Sequence, residues 1–283
     1  NKPFWFLLFL LFFIVKTNGQ EVWTKVDSSV SGISSFPQQL GEAYYTLNNS
    51  LLKPTQKGIN SNIQTLVLPN EKGEMETFSI VSVPLLSDAL SKRYPNIKTY
   101  EGRSVIRPEV RVRLSTHPNG INAWLKLVEG PDFFIQTQKG QKNLHFTYLK
   151  SKSDFAPSLS CKTEGVLLKD KVQNFSAKTT SENNVVKIFR IAVATTGEYT
   201  SFWGDNDDSN GTNVEDAMGA LVSSVNRISS VFEDEVKVRL ELVSDERLIY
   251  EDQDTDPFSG NFATELQSTL DEVMGDSSYD IVH

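Results

Sequence analysis

Val185-Val186-Lys187-Ile188-Phe189-Arg190-Ile191-Ala192-Val193-Ala194-Thr195-Thr196 is a near-continuous run of apolar and β-branched residues. Such a run predicts a strand buried on both faces, as in a parallel sheet covered by helices. The sequence that follows supplies the rest of that layer. A loop rich in Gly, Asp and Asn spans Gly204 to Gly211, and Thr212-x-x-Glu215 then has the spacing of a capping box. Ala217, Leu221, Val225, Ile228 and Phe232 recur at steps of four or three, which predicts one apolar face of a long helix. Val236, Val238, Leu240 and Leu242 alternate with charged residues, as in a second strand. Leu266, Leu270 and Val273 mark a second helix over Ala263 to Met274, and Tyr279 to Val282 begins a third strand. Strand, helix, strand, helix, strand describes an α/β layer with crossover connections.

Upstream the pattern changes. Lys169 to Asn184 is polar and nearly aperiodic, which predicts a linker. Before it, short β-like runs alternate with turn signals. Leu66–Leu68 and Phe78–Val81 flank Gly73, Val110–Leu114 and Ile121–Val128 flank His117-Pro118-Asn119-Gly120, and Phe133–Ile135 and Leu144–Leu149 flank Lys139-Gly140. These predict an antiparallel, β-rich module. Leu85, Leu86, Ala89 and Leu90 predict a short amphipathic helix over Leu85 to Lys92, ended by Tyr94-Pro95.

At the front, Phe4 to Val15 is unbroken apolar sequence between Lys2 and Lys16. As a helix it would be about 18 Å long, too short for a hydrocarbon core of about 30 Å. A positive start, a short apolar core and small residues near Gly19 have the form of an export signal, with cleavage expected after Gly19; an uncleaved anchor is the alternative. No other stretch has the length to span a membrane, so the mature protein is expected to be secreted. Asn1 stands where an initiator Met would, and Ser278–His283 is strand-like. Both suggest an internal piece of a longer precursor.

Charge divides the chain. Residues 20–184 carry 20 Lys and Arg against 15 Asp and Glu, whereas residues 185–283 carry 6 against 21. Opposite balances favour contact between the two parts, although an acidic half is also simply well solvated. The acidic half argues against nucleic acid, which needs a cationic surface. Cys161 is the only cysteine, so no internal disulfide forms and the fold rests on apolar burial.

The second half resembles the start of a reprolysin-like (adamalysin) zinc metalloprotease domain of the metzincin clan. The residues that carry the resemblance are Phe189–Thr196 with Gly197-Glu198-Tyr199, the helix Val214–Phe232 with Val225-Asn226-Arg227-Ile228, the strand Val236–Val243 and the closing Tyr279–His283. Glu74–Ile80 and Arg93–Gly102 resemble the pro-region of secreted bacterial precursors of that kind. The resemblance implies an α+β chain: a signal over 1–19, a β-rich pro-region over 20–168, a linker over 169–184, and the first half of an α/β metzincin-like catalytic domain over 185–283. It implies zinc as cofactor, protein or peptide substrates, and a pro-region that docks on its own catalytic domain. The alternative is an exported binding or surface protein on the same scaffold without the zinc site.

Metzincins use H-E-x-x-H-x-x-G-x-x-H, in which three His hold zinc and the Glu takes a proton from zinc-bound water. His117, His145 and His283 are the only His present, and none has Glu next to it or His four residues on. His117 is expected in a hairpin turn and His145 in a strand. No catalytic residue of the family can be assigned, and the chain by itself is expected to be inactive. Cys161 is the candidate for a pro-region thiolate held on zinc, with Lys162 able to lower its pKa; the alternative is a buried cysteine acting as a small hydrophobe. Asp205, Asp207 and Asp208 form a candidate calcium loop, and Asp252, Asp254 and Asp256 a second acidic cluster, each with a solvated loop as its alternative. No phosphate loop, basic aromatic face or Ser-His-Asp spacing is present.

Overall fold

The computed structural model describes residues 21–26, 43–48, 50, 55–56, 62–139, 141–150, 186–209 and 211–283. The expected signal, the 169–184 linker and Cys161 lie outside them. Ten strands form one antiparallel sheet: β1 (Trp23–Val26), β2 (Ala43–Leu47), β3 (Thr55–Gln56), β4 (Ile63–Pro69), β5 (Met75–Ser82), β6 (Lys98–Ser104), β7 (Arg111–His117), β8 (Gly120–Lys126), β9 (Phe133–Thr137) and β10 (Leu144–Leu149). Their order is β1-β2-β10-β9-β8-β7-β6-β5-β4-β3. In β5, Glu76, Phe78 and Ile80 are buried while Met75 and Thr77 are exposed, the two-residue period of a strand with one wet face. Trp23, Tyr45, Leu68, Phe78, Leu114, Leu125 and Ile135 share one apolar core. The Trp23 indole N–H donates to the Val67 carbonyl at 2.8 Å, although β1 and β4 lie near opposite ends of the strand order. The sheet therefore curls around its core, in the direction that strand twist provides.

Between β5 and β6 lies α1 (Asp88–Arg93), capped by Ser87. The helix predicted from Leu85 begins three residues later. Leu85 and Leu86 are instead extended, because their backbone bonds to another strand, described below.

The remaining elements are β11 (Lys187–Ala192), α2 (Gly197–Trp203), α3 (Asn213–Val236), β12 (Val238–Leu242), α4 (Phe262–Val273) and β13 (Ile281–Val282). β11 is central, with β12 and β13 parallel on either side, as an α/β layer requires. Thr212 caps α3 and accepts from the Glu215 N–H at 3.2 Å. At its other end Lys237 takes the left-handed conformation (φ 58°), so Val236 closes the helix and does not open β12. The short α2 was not legible in the sequence. Its first residue, Gly197, packs so close to the backbone that an added Cβ would lie 2.2 Å from the Gln253 nitrogen.

Two burial expectations are corrected. β11 is not buried along its whole length: Ile188 and Phe189 are exposed, and burial begins at Ile191. β13 pairs only with Ile191 and Ala192, so among the described residues the front of β11 has no paired strand on that side. On α3, Ile228 and Phe232 are exposed, whereas Asn226 and Ser229 are buried. The helix is wedged between two layers, and its inward polar groups bond to both: the Asn226 amide donates to the Leu114 carbonyl at 3.0 Å, and the Ser229 hydroxyl accepts from the Leu240 N–H at 3.0 Å. No helix among the described residues is long and apolar enough to cross a membrane.

Candidate functional site

The most developed polar constellation is the seam where α3 crosses β7 and β8. Three rows of contact follow the helix from its N-terminus. In the first, the Asn119 amide donates to Asp216 Oδ1 at 2.6 Å, and the Asp205 N–H donates to Asp216 Oδ2 at 3.2 Å. Burial, seconded by the Asp205 carboxylate, pushes Asp216 up to about 6. In the second, the Ser115 and Ser223 hydroxyls meet at 2.7 Å, and the Asn122 amide donates to Ser223 at 2.9 Å and to His117 Nε2 at 3.1 Å. Gly219 lets the helix approach, since a Cβ there would stand 3.0 Å from His117 Cβ. In the third, Arg111 forks onto Asp234 at 2.9 and 2.8 Å, Lys126 reaches the same carboxylate at 2.9 Å, and Arg113 meets Glu233 at 2.7 Å. The Arg111 hydrogen bonds hold Asp234 down at about 2. Burial works against ionisation of Glu233, but Arg239 and Arg113 outweigh it and keep its pKa below the usual carboxylate range. The opposite charge balances of the two parts are thus expressed locally. A cleft of about 580 Å³ opens beside the third row, between Arg103, Trp124 and Lys237.

The three His do not converge on a metal. His117 closes the β7–β8 hairpin and its ring Nδ1 is enclosed with no hydrogen-bond partner among the described residues; burial holds it at about 4. His145 is buried in β10, where its Nε2 accepts from the Ile121 N–H at 3.0 Å, and burial followed by the neighbouring His117 holds it at about 3. His283 bonds through its backbone to Ala192 and Ala194. Asp205, Asp207 and Asp208 lie together between α2 and α3, but Asp205 Oδ1 accepts from the Asp207 N–H at 2.8 Å and Asp207 Oδ1 from the Ser209 N–H at 3.0 Å. Asp252 and Asp256 likewise accept from backbone N–H groups, of Asp254 and of Gly197 and Phe258. These are turn-forming carboxylates, and among the described residues no three His, Cys, Asp or Glu are grouped to hold an ion. The residues present therefore do not fit a catalytic zinc, and calcium gains no support. The seam itself was missed by residue-by-residue reading; the charge asymmetry was its only signal.

The order of strands and helices from β11 onward is that of a parallel α/β layer opened by a long capped helix. Residues 185–283 match the model of the reprolysin-like metallopeptidase family M12B, so this part of the chain is similar to that family. The match takes in β11 to β13 and leaves the ten-stranded sheet outside it. No curated protein matches the chain.

Proposed function

We propose that the chain is the front part of an exported reprolysin-like metalloendopeptidase precursor. In this reading residues 1–19 direct export, 20–168 are a pro-region, 169–184 a linker, and 185–283 the opening of the catalytic domain. The observation that carries it is the family match over 185–283, laid on a parallel β12-β11-β13 layer with α3 along it. The zinc ligands that the family requires are not among the residues present, and the reading places them in sequence C-terminal to the match. What these residues supply is framework. β11 and α3 build the layer, and the polar seam fixes the ten-stranded sheet against it as a latent-state partner and folding aid. Cys161, ahead of the linker, is the proposed zinc thiolate of the latent form. The test is to express the precursor with its C-terminal continuation and assay casein hydrolysis with and without a chelator. Chelator-sensitive cleavage that appears only after the pro-region is removed supports the reading. A continuation without H-E-x-x-H, or activity indifferent to chelation, refutes it.

A further inference from the structure

The segment Leu85–Ile97 belongs in sequence to the ten-stranded sheet, between β5 and β6, yet it is built into the other layer. Leu86 bridges Leu242 in parallel register. The Leu242 N–H donates to the Leu85 carbonyl at 2.7 Å, and the Ser87 N–H donates to the Leu242 carbonyl at 3.0 Å. These bonds continue the ladder outward from β12, so the parallel layer runs Leu85–Ser87, β12, β11, β13. Leu85, Leu86, Leu90, Tyr94 and Ile97 are all at most 7% exposed and share one cluster with Leu221, Leu240 and Leu242. Ser87 ends the extended stretch and at once caps α1, accepting from the Leu90 N–H at 3.4 Å. The two sheets thus meet in two physically different ways. The α3 seam is polar and includes ion pairs that salt screens. The Leu85 segment works through main-chain bonds and apolar burial, which salt does not weaken, and adds one exposed ion pair, Arg93 to Glu246 at 2.8 Å, which salt does screen.

We propose that the outer edge of β12, with the adjoining flank of α3, is a strand-acceptor surface. Its partner is an extended Leu-Leu segment followed by a Ser-capped helical turn, and the chain's own Leu85–Ile97 occupies it as a clip. The clip holds the ten-stranded sheet on the parallel layer without help from the covalent connection. A cut between the two parts therefore leaves them associated, and separation requires the clip to leave the β12 edge. The proposal stands on these contacts and not on the peptidase reading. An unpaired strand edge is a ready template for a segment of this kind.

The test uses the whole chain with a specific protease site placed within residues 169–184. The cut protein is run on size exclusion at low salt and at about 1 M salt, where the screening length falls to about 3 Å. The two pieces are expected to co-elute at both. A synthetic peptide spanning Val83–Tyr94, in excess, is expected to speed their separation at least about tenfold, while a scrambled peptide does not. Leu86→Asp in the same chain is expected to separate on cutting. The peptide competition needs no variant, so it decides the matter even where Leu86→Asp fails to fold. Wild-type pieces that part as soon as they are cut, or that ignore the peptide, overturn the proposal.

Discussion

Arg113 of β7 stands between two carboxylates, 3.0 Å from Glu101 on its own sheet and 2.7 Å from Glu233 on α3, with only 6% of its side chain exposed. Glu233 is gripped from the far side by Arg239 of β12. One arginine thus links the curled sheet, the helix and the parallel layer. Removing Arg113 leaves Glu233 to Arg239 alone and Glu101 to water, a loss of charged hydrogen bonds that costs about 1–3 kcal/mol. Arg113→Ala is expected to lower unfolding stability by about that amount in urea melts. Arg113→Lys keeps the charge but loses the two-pronged fork, and is expected to fall between. An unchanged midpoint for Arg113→Ala would mean that Arg239 and water satisfy Glu233 unaided.

Backbone proximity gives a second expectation, independent of charge. Gly102 lies in mid-strand, paired with Ile80 and Val112, and a Cβ there would come within 2.2 Å of the Ser79 carbonyl oxygen. The obstacle is backbone, which cannot swing aside. Gly102→Ala is expected to cost about 3 kcal/mol by forcing β5 and β6 apart. Gly130→Ala is the control. Nothing lies within 4 Å of that Cβ, but φ is +83°, so a penalty of only about 1–2 kcal/mol for the left-handed backbone is expected. Thermal melts of the two variants separate crowding from backbone strain.

The elements that could be read in advance were those whose side chains repeat with a period. Alternation at Phe78 and Ile80 and the steps of α3 around Leu221 and Val225 are local consequences of burial, and both were legible. Partners in space were not. Leu85 and Leu86 look like the first turn of an amphipathic helix because nothing nearby in sequence shows that Leu242 will bond to their backbone. The same holds for Ile228 and Phe232. Four-residue steps place them under the core, but Asn226 and Ser229 have partners on two different layers and the helix settles on those. Trp23 gave no hint of Val67, since a curl that joins distant strands leaves no short-range pattern.

Acid is expected to destabilise the fold through two imidazoles. His117 and His145 are held at about 4 and about 3, below the ordinary 6.5. A depressed histidine contributes stability that is complete above 6.5 and is lost as pH falls toward the folded value, because the unfolded chain binds the proton first. Asp216 acts in the opposite sense. Its pKa is raised from 3.8 to about 6, so its contribution is complete below 3.8 and lost as pH rises through 6. Glu215, raised by burial, acts with Asp216, whereas Glu233, Asp234, Glu71 and Glu76, held low mainly by their arginines, add to the loss as pH falls below 4.5, and the balance is a net loss on acidification. His117→Gln is expected to flatten the upper part of that loss, read as a smaller drop in melting temperature between pH 7 and pH 4. A wild-type melting temperature that rises on acidification over this range would show that Asp216 prevails.

Zinc provides the last expectation. A catalytic site needs three converging ligands with free lone pairs and an open fourth position. In His117 and His145 the Nε2 lone pairs already accept from the Asn122 amide and the Ile121 N–H. Freeing them means breaking these contacts at the turn of the β7–β8 hairpin. Titration calorimetry on the chain as it stands is therefore expected to show no stoichiometric zinc site, and submicromolar one-to-one binding would overturn this. The role proposed for Cys161 is tested separately, in the precursor with its continuation. Cys161→Ala removes the only thiolate, so activation is expected earlier than in wild type, followed by peptide hydrolysis over time. Equal latency in the two would discard the thiolate and leave the seam and the Leu85 clip as the means by which the ten-stranded sheet is kept in place.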